Sequence, residues 1–326
     1  MSNKKILIDV FGADDPNALI DGVERAINEC AGVDLIVVGD KNYIENRLID
    51  RDFDRKRLEI LDAKEVVTND DGPVEAIRKK RNSSLFVGMS ALKDREDVGC
   101  MITAGNTGAV IAGAVLILGR ETSNDRPTLV TMLPNDKGGI TCLADCGANV
   151  DCKPHHLLKF GEYASDYAKS VLKIEDPKVA LLSVGTEDKK GNMLTKETFK
   201  LLKESSLNFV GNMEAKTALS GDVDVIVADG FYGNVLLKSI EGTAKSVLNR
   251  IVKLLKKHAS ADSDTTFVKS ATNEFLEQLD FNTMGGAILL GVKKPIIKAH
   301  GSASSSTVIN TVKQAISIIK NTKDDL

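Results

Sequence analysis

Val223-Asp224-Val225-Ile226-Val227-Ala228-Asp229-Gly230-Phe231-Tyr232-Gly233-Asn234 is the stretch that decides the fold class. A β-branched apolar run ends in an acid and a glycine-bracketed turn, and an amphipathic helical pattern follows from Val235. Buried strand, turn, helix is the repeating unit of an open α/β sheet. The order places Asp229 and Asn234 at the carboxyl end of a strand, where such sheets bind their ligands. Gly230 and Gly233 would let the backbone approach a ligand closely, and Asn234 offers both an amide donor and an acceptor.

The same grammar recurs outward from this unit. Strands are expected at Lys5–Val10, Asp34–Val38, Leu58–Leu61, Leu85–Val87, Thr128–Leu133, Ile140–Ala144, Val179–Val184, Leu207–Val210, Val223–Ala228 and Ile296–Ala299. Helical patterns fall at Pro16–Ala31, Pro73–Arg81, Thr107–Leu118, Pro154–Leu172, Thr195–Glu204, Asn234–His258 and Ser302–Ile319. Strands alternating with helices predict a mainly parallel sheet with helices on its faces. Neither a low-complexity linker nor a repeat of fixed period divides the chain. Residues 1–326 are read as a single α/β catalytic domain, with two lobes around a cleft.

Composition narrows the function. The 326 residues are 42% hydrophobic, enough for a substantial core. A net charge of −3 and a pI near 5.9 give no reason to expect nucleic acid as the main partner. Apolar runs stay below the roughly 18 residues of a spanning helix. Lys4-Lys5 leads directly into Ile6-Leu7-Ile8-Asp9, which reads as a first strand rather than a signal peptide. A cytoplasmic protein is expected. The five cysteines suit reduced thiols. Cys142, Cys146 and Cys152, with His155 and His156 nearby, raise the question of a metal. Their spacing matches no familiar zinc pattern, and packed thiols beside a helix start are the alternative.

Four turns carry the polar chemistry. Thr103-Ala104-Gly105-Asn106-Thr107-Gly108-Ala109 opens a helix, so its amides could face an anion, with Asn106 and Thr107 as further donors. A plain N-cap is the alternative. The turn is neither G-x-G-x-x-G nor a Walker A loop, which argues against nicotinamide and ATP. Asp145, Asn149 and Lys153 share the connection that ends at Pro154, able to face a cleft or to form an Asx-turn. Glu187 and Lys190 lie in the glycine-flanked loop Gly185–Asn192, where a lysine can reach an anionic or carbonyl substrate. His300-Gly301-Ser302 precedes the last helix, and His300 could donate to phosphate. No G-x-S-x-G elbow supports a serine triad.

In Ala244–His258, Val247, Leu248, Ile251, Leu254 and Leu255 recur at helical spacing among Lys245, Arg250, Lys253, Lys256 and Lys257. Such a basic amphipathic helix can lie on an anionic membrane or pack its stripe against the core or a second subunit. Arg78-Lys79-Lys80-Arg81 is a second basic run.

Taken together, these segments resemble the bacterial acyl-ACP:phosphate acyltransferase (PlsX) family, almost end to end. The resemblance rests on Ile8-Asp9 with Gly12 and Asp14, on Ala104 to Ala109, and on Asp145 with Gly147-Ala148-Asn149 and Lys153-Pro154. It continues through Glu187 with Lys190-Gly191-Asn192, Asn208-Phe209 with Gly211-Asn212 and Glu214, and Asp229-Gly230-Phe231 with Gly233-Asn234. Leu237-Lys238, Glu241-Gly242, Gly285-Gly286, Leu290-Gly291 and His300-Gly301 complete the set. One departure is Ala13, where the family usually has the second glycine of Asp-Ala-Met-Gly-Gly-Asp.

The resemblance implies a three-layer αβα sandwich, like phosphotransacetylases and isocitrate-type dehydrogenases. It implies transfer of a long-chain acyl group from acyl carrier protein to inorganic phosphate, feeding a glycerol-phosphate acyltransferase. It implies Lys190 and Asn234 as catalytic groups, with Asp229 in support, and phosphate on Gly105–Gly108 with Asp9 and His300 nearby. A homodimer seated reversibly on the membrane is implied as well, with Arg78–Arg81 or the 245–257 cations as landing patches for the acidic carrier. No metal or organic cofactor is expected. A coenzyme A-dependent phosphotransacetylase, an isocitrate-type dehydrogenase and a non-catalytic scaffold are the competing classes.

Overall fold

The computed structural model describes residues 4–258, Thr266, Ser270, Thr272 and 285–321. Its strands are β1 (Lys5–Asp9), β2 (Leu35–Gly39), β3 (Leu58–Asp62), β4 (Val98–Thr103), β5 (Thr128–Pro134), β6 (Ile140–Ala144), β7 (Lys178–Ser183), β8 (Asn208–Glu214), β9 (Val225–Val227), β10 (Ala287–Leu290) and β11 (Ile296–Lys298). They form one sheet in the order β3-β2-β1-β4-β11-β10-β5-β6-β9-β7-β8. The helices are α1 (Pro16–Glu29), α2 (Lys41–Leu48), α3 (Pro73–Lys79), α4 (Ser84–Asp94), α5 (Thr107–Gly113), α6 (Pro154–Ser170), α7 (Met193–Glu204), α8 (Gly230–His258) and α9 (Ser305–Asn321).

Alternation along each strand feeds two cores. Ile6, Ile8, Val225 and Val227 face one layer with Leu19, Phe160, Leu202 and Val312, from α1, α6, α7 and α9. Leu7, Met101 and Ile226 face the other with Ile77, Met89, Val110 and Leu236, from α3, α4, α5 and α8. The period of two in a strand thus builds a three-layer αβα sandwich, as expected.

The sheet has two halves of opposite sense. β1, β2, β3, β4 and β11 run parallel. Antiparallel pairings of β11 with β10, β10 with β5 and β5 with β6 reverse the direction. β6, β9, β7 and β8 then run parallel to one another and antiparallel to the first half. Carboxyl ends of the two halves therefore leave opposite edges of the sheet.

Several expected elements are corrected. Leu85–Val87 is not a strand but the first turns of α4, which Ser83 caps by accepting from Phe86 N at 3.3 Å. The strand beside it is β4, together with α2 and β10 an element absent from the expected set. α8 begins at Gly230, four residues before the expected start, so Gly230 and Gly233 are helical.

Candidate active site

Each half of the sheet contains a point where successive connections depart to opposite faces, and ligands of open α/β sheets bind at such points. In the second half, β6 and β7 lead to α6 and α7 on one face while β9, which lies between them, leads to α8 on the other. Three segments, the connections 145–153 and 184–192 and the stretch 228–234 that opens α8, crown this crevice.

Asp145 is its buried support. Its carboxylate accepts from Asn149 N at 2.6 Å, Leu129 N at 2.9 Å, Asn149 Nδ2 at 3.1 Å and Ala148 N at 3.3 Å. Burial outweighs these donors and raises its pKa to about 6. Asn149 is committed too, donating to Pro127 O at 2.8 Å while its own carbonyl accepts from Gly230 N at 2.7 Å. The Ala144–Asp145 peptide is cis. The structure thus places Asp145 and Asn149 inside the loop, holding its shape.

α8 is drawn against this loop. A Cβ on Gly233 would stand 1.9 Å from the Asp145 carbonyl oxygen, and one on Gly230 would stand 2.7 Å from Asn149 O and from Asp145 Oδ2. The two glycines are needed for one backbone to approach another. Asp229 is buried, burial raises its pKa, and its Oδ1 caps α8 by accepting from Tyr232 N at 2.8 Å.

Lys190 and Asn234 are exposed on this frame. A Cβ on Gly185 would lie 3.1 Å from Lys190 Cγ, so the lysine stem runs along the end of β7. Lys190 Nζ is 4.0 Å from Glu187 Oε1, a loose exposed pair that leaves the ammonium available. The loop itself is pinned by Asn212 Nδ2 donating to Glu187 O at 2.9 Å and by Asn192 accepting from Thr195 N at 2.9 Å. Asn234 stands beside Gly147, whose φ of +122° suits glycine. Lys153 is exposed, and its backbone N–H donates to Nδ1 of the buried His156 at 3.0 Å.

The other expected residues crown a different crevice, over β1, β4 and β11. Thr103 Oγ1 donates to the buried Asp9 Oδ2 at 2.8 Å and accepts from Gly105 N at 3.0 Å. Burial raises the pKa of Asp9. Gly105 meets Gly12 backbone to backbone, since a Cβ on Gly12 would lie 2.6 Å from Gly105 N. Asn106 Oδ1 caps Ala109 N at 2.9 Å and its Nδ2 reaches Asn69 Oδ1 at 3.2 Å. A Cβ on Gly108 would press to 2.7 Å from Pro73 Cγ. His300 Nδ1 is 2.8 Å from Ser302 Oγ. Gly105 N and the Asn106 side chain are thus engaged within the protein.

Gly105–Gly108 and His300 follow, and Asp9 ends, strands of the first half of the sheet, whereas Lys190 and Asn234 follow strands of the second. Five strand spacings separate β4 from β9 along the sheet, roughly 24 Å at about 4.8 Å each. α8 links the two crevices, for it starts at one and carries Lys238 within electrostatic reach of Lys298 at the other.

Lys298 escaped the sequence reading. Its ammonium donates to Ala104 O at 3.2 Å and to Ala299 O, tying the turn after β4 to the segment after β11. Burial lowers its pKa to about 8. Nothing in the local pattern of Ile296-Ile297-Lys298 distinguishes it from an edge lysine, because the groups that bury it come from distant segments.

The cysteines are packed. Cys142 is buried in β6, Cys146 Sγ lies 2.8 Å from Thr131 Oγ1, and Cys152 Sγ donates to Asn149 O at 3.3 Å. Of the basic run, Lys79 pairs with Glu75 and Lys80 with Asp71, so two of its four charges are neutralised. On α8, Val247, Ile251, Leu254 and Leu255 are exposed, whereas Leu248 is buried, a correction to its place in the outward stripe. Side chains of Lys256 and His258 lie outside the described residues. Among the described residues no helix is long and apolar enough to cross a membrane.

Comparison with known proteins agrees with this architecture. A 4-hydroxythreonine-4-phosphate dehydrogenase from Klebsiella pneumoniae superposes with a TM-score of 0.56, 12% identity, and coverage of 97% of this chain and 98% of that one. The EutD phosphotransacetylase from Staphylococcus aureus superposes with a TM-score of 0.63, 15% identity, and coverage of 98% and 95%. At these identities the likeness is one of fold. Sequence carries further. The chain is 41% identical over 317 residues to the phosphate acyltransferase of Clostridioides difficile (strain 630), covering 97% of this chain and 93% of that protein. The phosphate acyltransferase of Bacillus pumilus (strain SAFR-032) is 41% identical over 317 residues, covering 97% and 94%. A family model described as fatty acid synthesis protein matches residues 4–324. Matched over nearly its whole length, the chain belongs to the fatty acid synthesis protein family of phosphate acyltransferases, and it is an acyltransferase that transfers acyl groups to phosphate.

Proposed function

We propose that the enzyme moves a long-chain fatty acyl group from the thioester of acyl carrier protein to inorganic phosphate, giving an acyl phosphate for phospholipid synthesis. The observation that carries the reading is the placement of Lys190 and Asn234. Both are exposed, Lys190 on the connection after β7 and Asn234 near the start of α8 after the neighbouring β9, and these leave for opposite faces of the sheet. Beneath them Asp145, Asn149 and Asp229 are buried and hydrogen-bonded, which holds the start of α8 and the 145–153 loop in place before substrate arrives.

Phosphate is itself the nucleophile. An oxygen of hydrogen phosphate attacks the thioester carbonyl carbon, a C–O bond forms, and the C–S bond breaks. The sulfur leaves as thiolate and takes the proton that phosphate gives up. Lys190 Nζ and the Asn234 amide donate to the oxyanion formed in between. The exposed Lys153 ammonium, at the end of the 145–153 connection, favours the phosphate dianion. Asp229 fixes the start of α8 and thereby Asn234.

The chain acts in this reading as one catalytic unit with two lobes, cytoplasmic and homodimeric. Its exposed α8 stripe supports reversible seating on a membrane near the downstream acyltransferase. The 245–257 cations, rather than the half-neutralised Arg78–Arg81 run, provide the patch for an acidic carrier.

The test is acyl phosphate formation, trapped as the hydroxamate, from palmitoyl thioesters of acyl carrier protein and of coenzyme A with inorganic phosphate. Product from the carrier thioester at much the higher kcat/KM is expected. Faster turnover of the coenzyme A thioester would replace the proposed donor.

A further inference from the structure

The crevice that holds Lys190 and Asn234 has an unusually apolar rim. Among the described residues fifteen large hydrophobics are exposed, and six of them, Val150, Val184, Met193, Phe231, Tyr232 and Val235, lie on or just past its three connections. Val184 and Met193, at 78% exposure, are the most exposed of all. Scattered surface hydrophobics need no explanation, but a concentration around polar groups of opposite character does.

The rim is joined to the reacting groups through the backbone. Val184 precedes Gly185, against which the Lys190 stem packs, and Met193 opens α7 just after the same loop. Val150 and Phe231 flank the Asn149–Gly230 hydrogen bond of 2.7 Å, and Phe231 and Tyr232 meet edge to face at 5.6 Å. A cationic and amide centre with an apolar surround fits a molecule that is polar at one end and hydrocarbon beyond it.

We infer that Val184, Met193 and Phe231 form the surface on which the hydrocarbon tail of the acyl donor lies, and that they set its chain-length preference. The inference rests on the acyl-transfer reading above. With the carbonyl held at Lys190 and Asn234, the tail must depart over the neighbouring rim. Exposed valine and methionine gain by covering it, on the order of fourfold in binding per methylene buried. A second copy of this chain would cover the same residues without any link to the acyl group.

The experiment compares the parent, Val184→Ser/Met193→Ser and the remote control Ile49→Ser, also exposed at 66%. Each is assayed with hexadecanoyl and butanoyl thioesters of the same carrier. The long-to-short ratio of kcat/KM is expected to fall about tenfold or more in the double variant and to stay at the parent value in the control. An unchanged ratio overturns the inference and leaves the acyl-transfer reading standing. Binding of cis-parinaric acid, read by fluorescence, gives an answer independent of turnover. Weakened binding in the double variant supports the rim, and equal binding overturns it even if no acyl phosphate is made. Loss of the dimer by light scattering with chain-length preference intact assigns the rim to a second copy and likewise overturns it.

Discussion

Gly233 and Asp145 meet so closely that a Cβ on the glycine would lie 1.9 Å from the aspartate's carbonyl oxygen. The obstacle is backbone, which cannot swing aside as a side chain would. Gly233→Ala therefore has to lift the first turn of α8 off the loop after β6. A loss of about 1–3 kcal/mol in stability is expected, with turnover falling further because Asn234 moves with the turn. Urea unfolding of the variant checks the first, and acyl phosphate formation the second.

Lys190 and Lys298 should separate function from stability. Lys190 is exposed, so Lys190→Ala should change stability by less than about 0.5 kcal/mol while greatly reducing turnover. Lys298 is half-buried and bonded to two carbonyls. Lys298→Met leaves those acceptors without their donor, and about 1–3 kcal/mol of stability should be lost. Thermal unfolding of the two variants side by side decides the matter, and equal melting temperatures would contradict the assignment.

Asp145 gives the protein a signed pH dependence. Burial raises its folded pKa to about 6, above the unfolded value, so the folded state holds the proton more tightly. Its contribution to stability is largest below pH 4 and is lost as pH rises from about 4 to 6, by roughly 3 kcal/mol at most. His156 works the other way, its pKa lowered to about 4 chiefly by burial. A neutral His156 is favoured in the fold, so its contribution is lost as pH falls from about 6.5 towards 4. Asp145→Asn removes the first effect and keeps the second. The stability of the parent relative to this variant should fall between pH 4 and 6, as urea titrations at each pH would show.

The α8 stripe makes a prediction about membranes. Leu254 and Leu255 are exposed, whereas Leu248 is buried. Leu254→Glu with Leu255→Glu should abolish cosedimentation with anionic liposomes and leave the melting temperature near that of the parent. Leu248→Glu should unfold or destabilise the protein instead. Unaltered cosedimentation of the double variant would assign the stripe to packing between copies.

Much of this architecture was legible because alternation and strand-to-helix order are local. Ile6–Ile8 and Val225–Val227 divide their side chains between two layers as their spacing requires. What escaped depends on context. Leu85-Phe86-Val87 is too short to tell strand from helix by apolarity, and its capping by Ser83 is the cue that decides. β4 carries Gly99, which weakens a strand pattern, yet it pairs with β1 and β11 at the centre of the first half. The polar turns were found, but their division between two edges of the sheet follows from the three antiparallel pairings that join β11 to β6. No turn sequence encodes that reversal. Lys298 was hidden for the same reason, since one of its two acceptors, Ala104 O, lies almost two hundred residues away.

The most direct measurement is single-turnover formation of acyl phosphate from palmitoyl-acyl carrier protein and inorganic phosphate by the parent, Lys190→Ala and Asn234→Ala. Each variant is expected to fold normally and to react about 100- to 1,000-fold more slowly, the cost of one lost oxyanion donor. Rates near that of the parent in both variants would remove the β7–β9 crevice from the chemistry and return attention to Lys298 and the crevice over β1, β4 and β11.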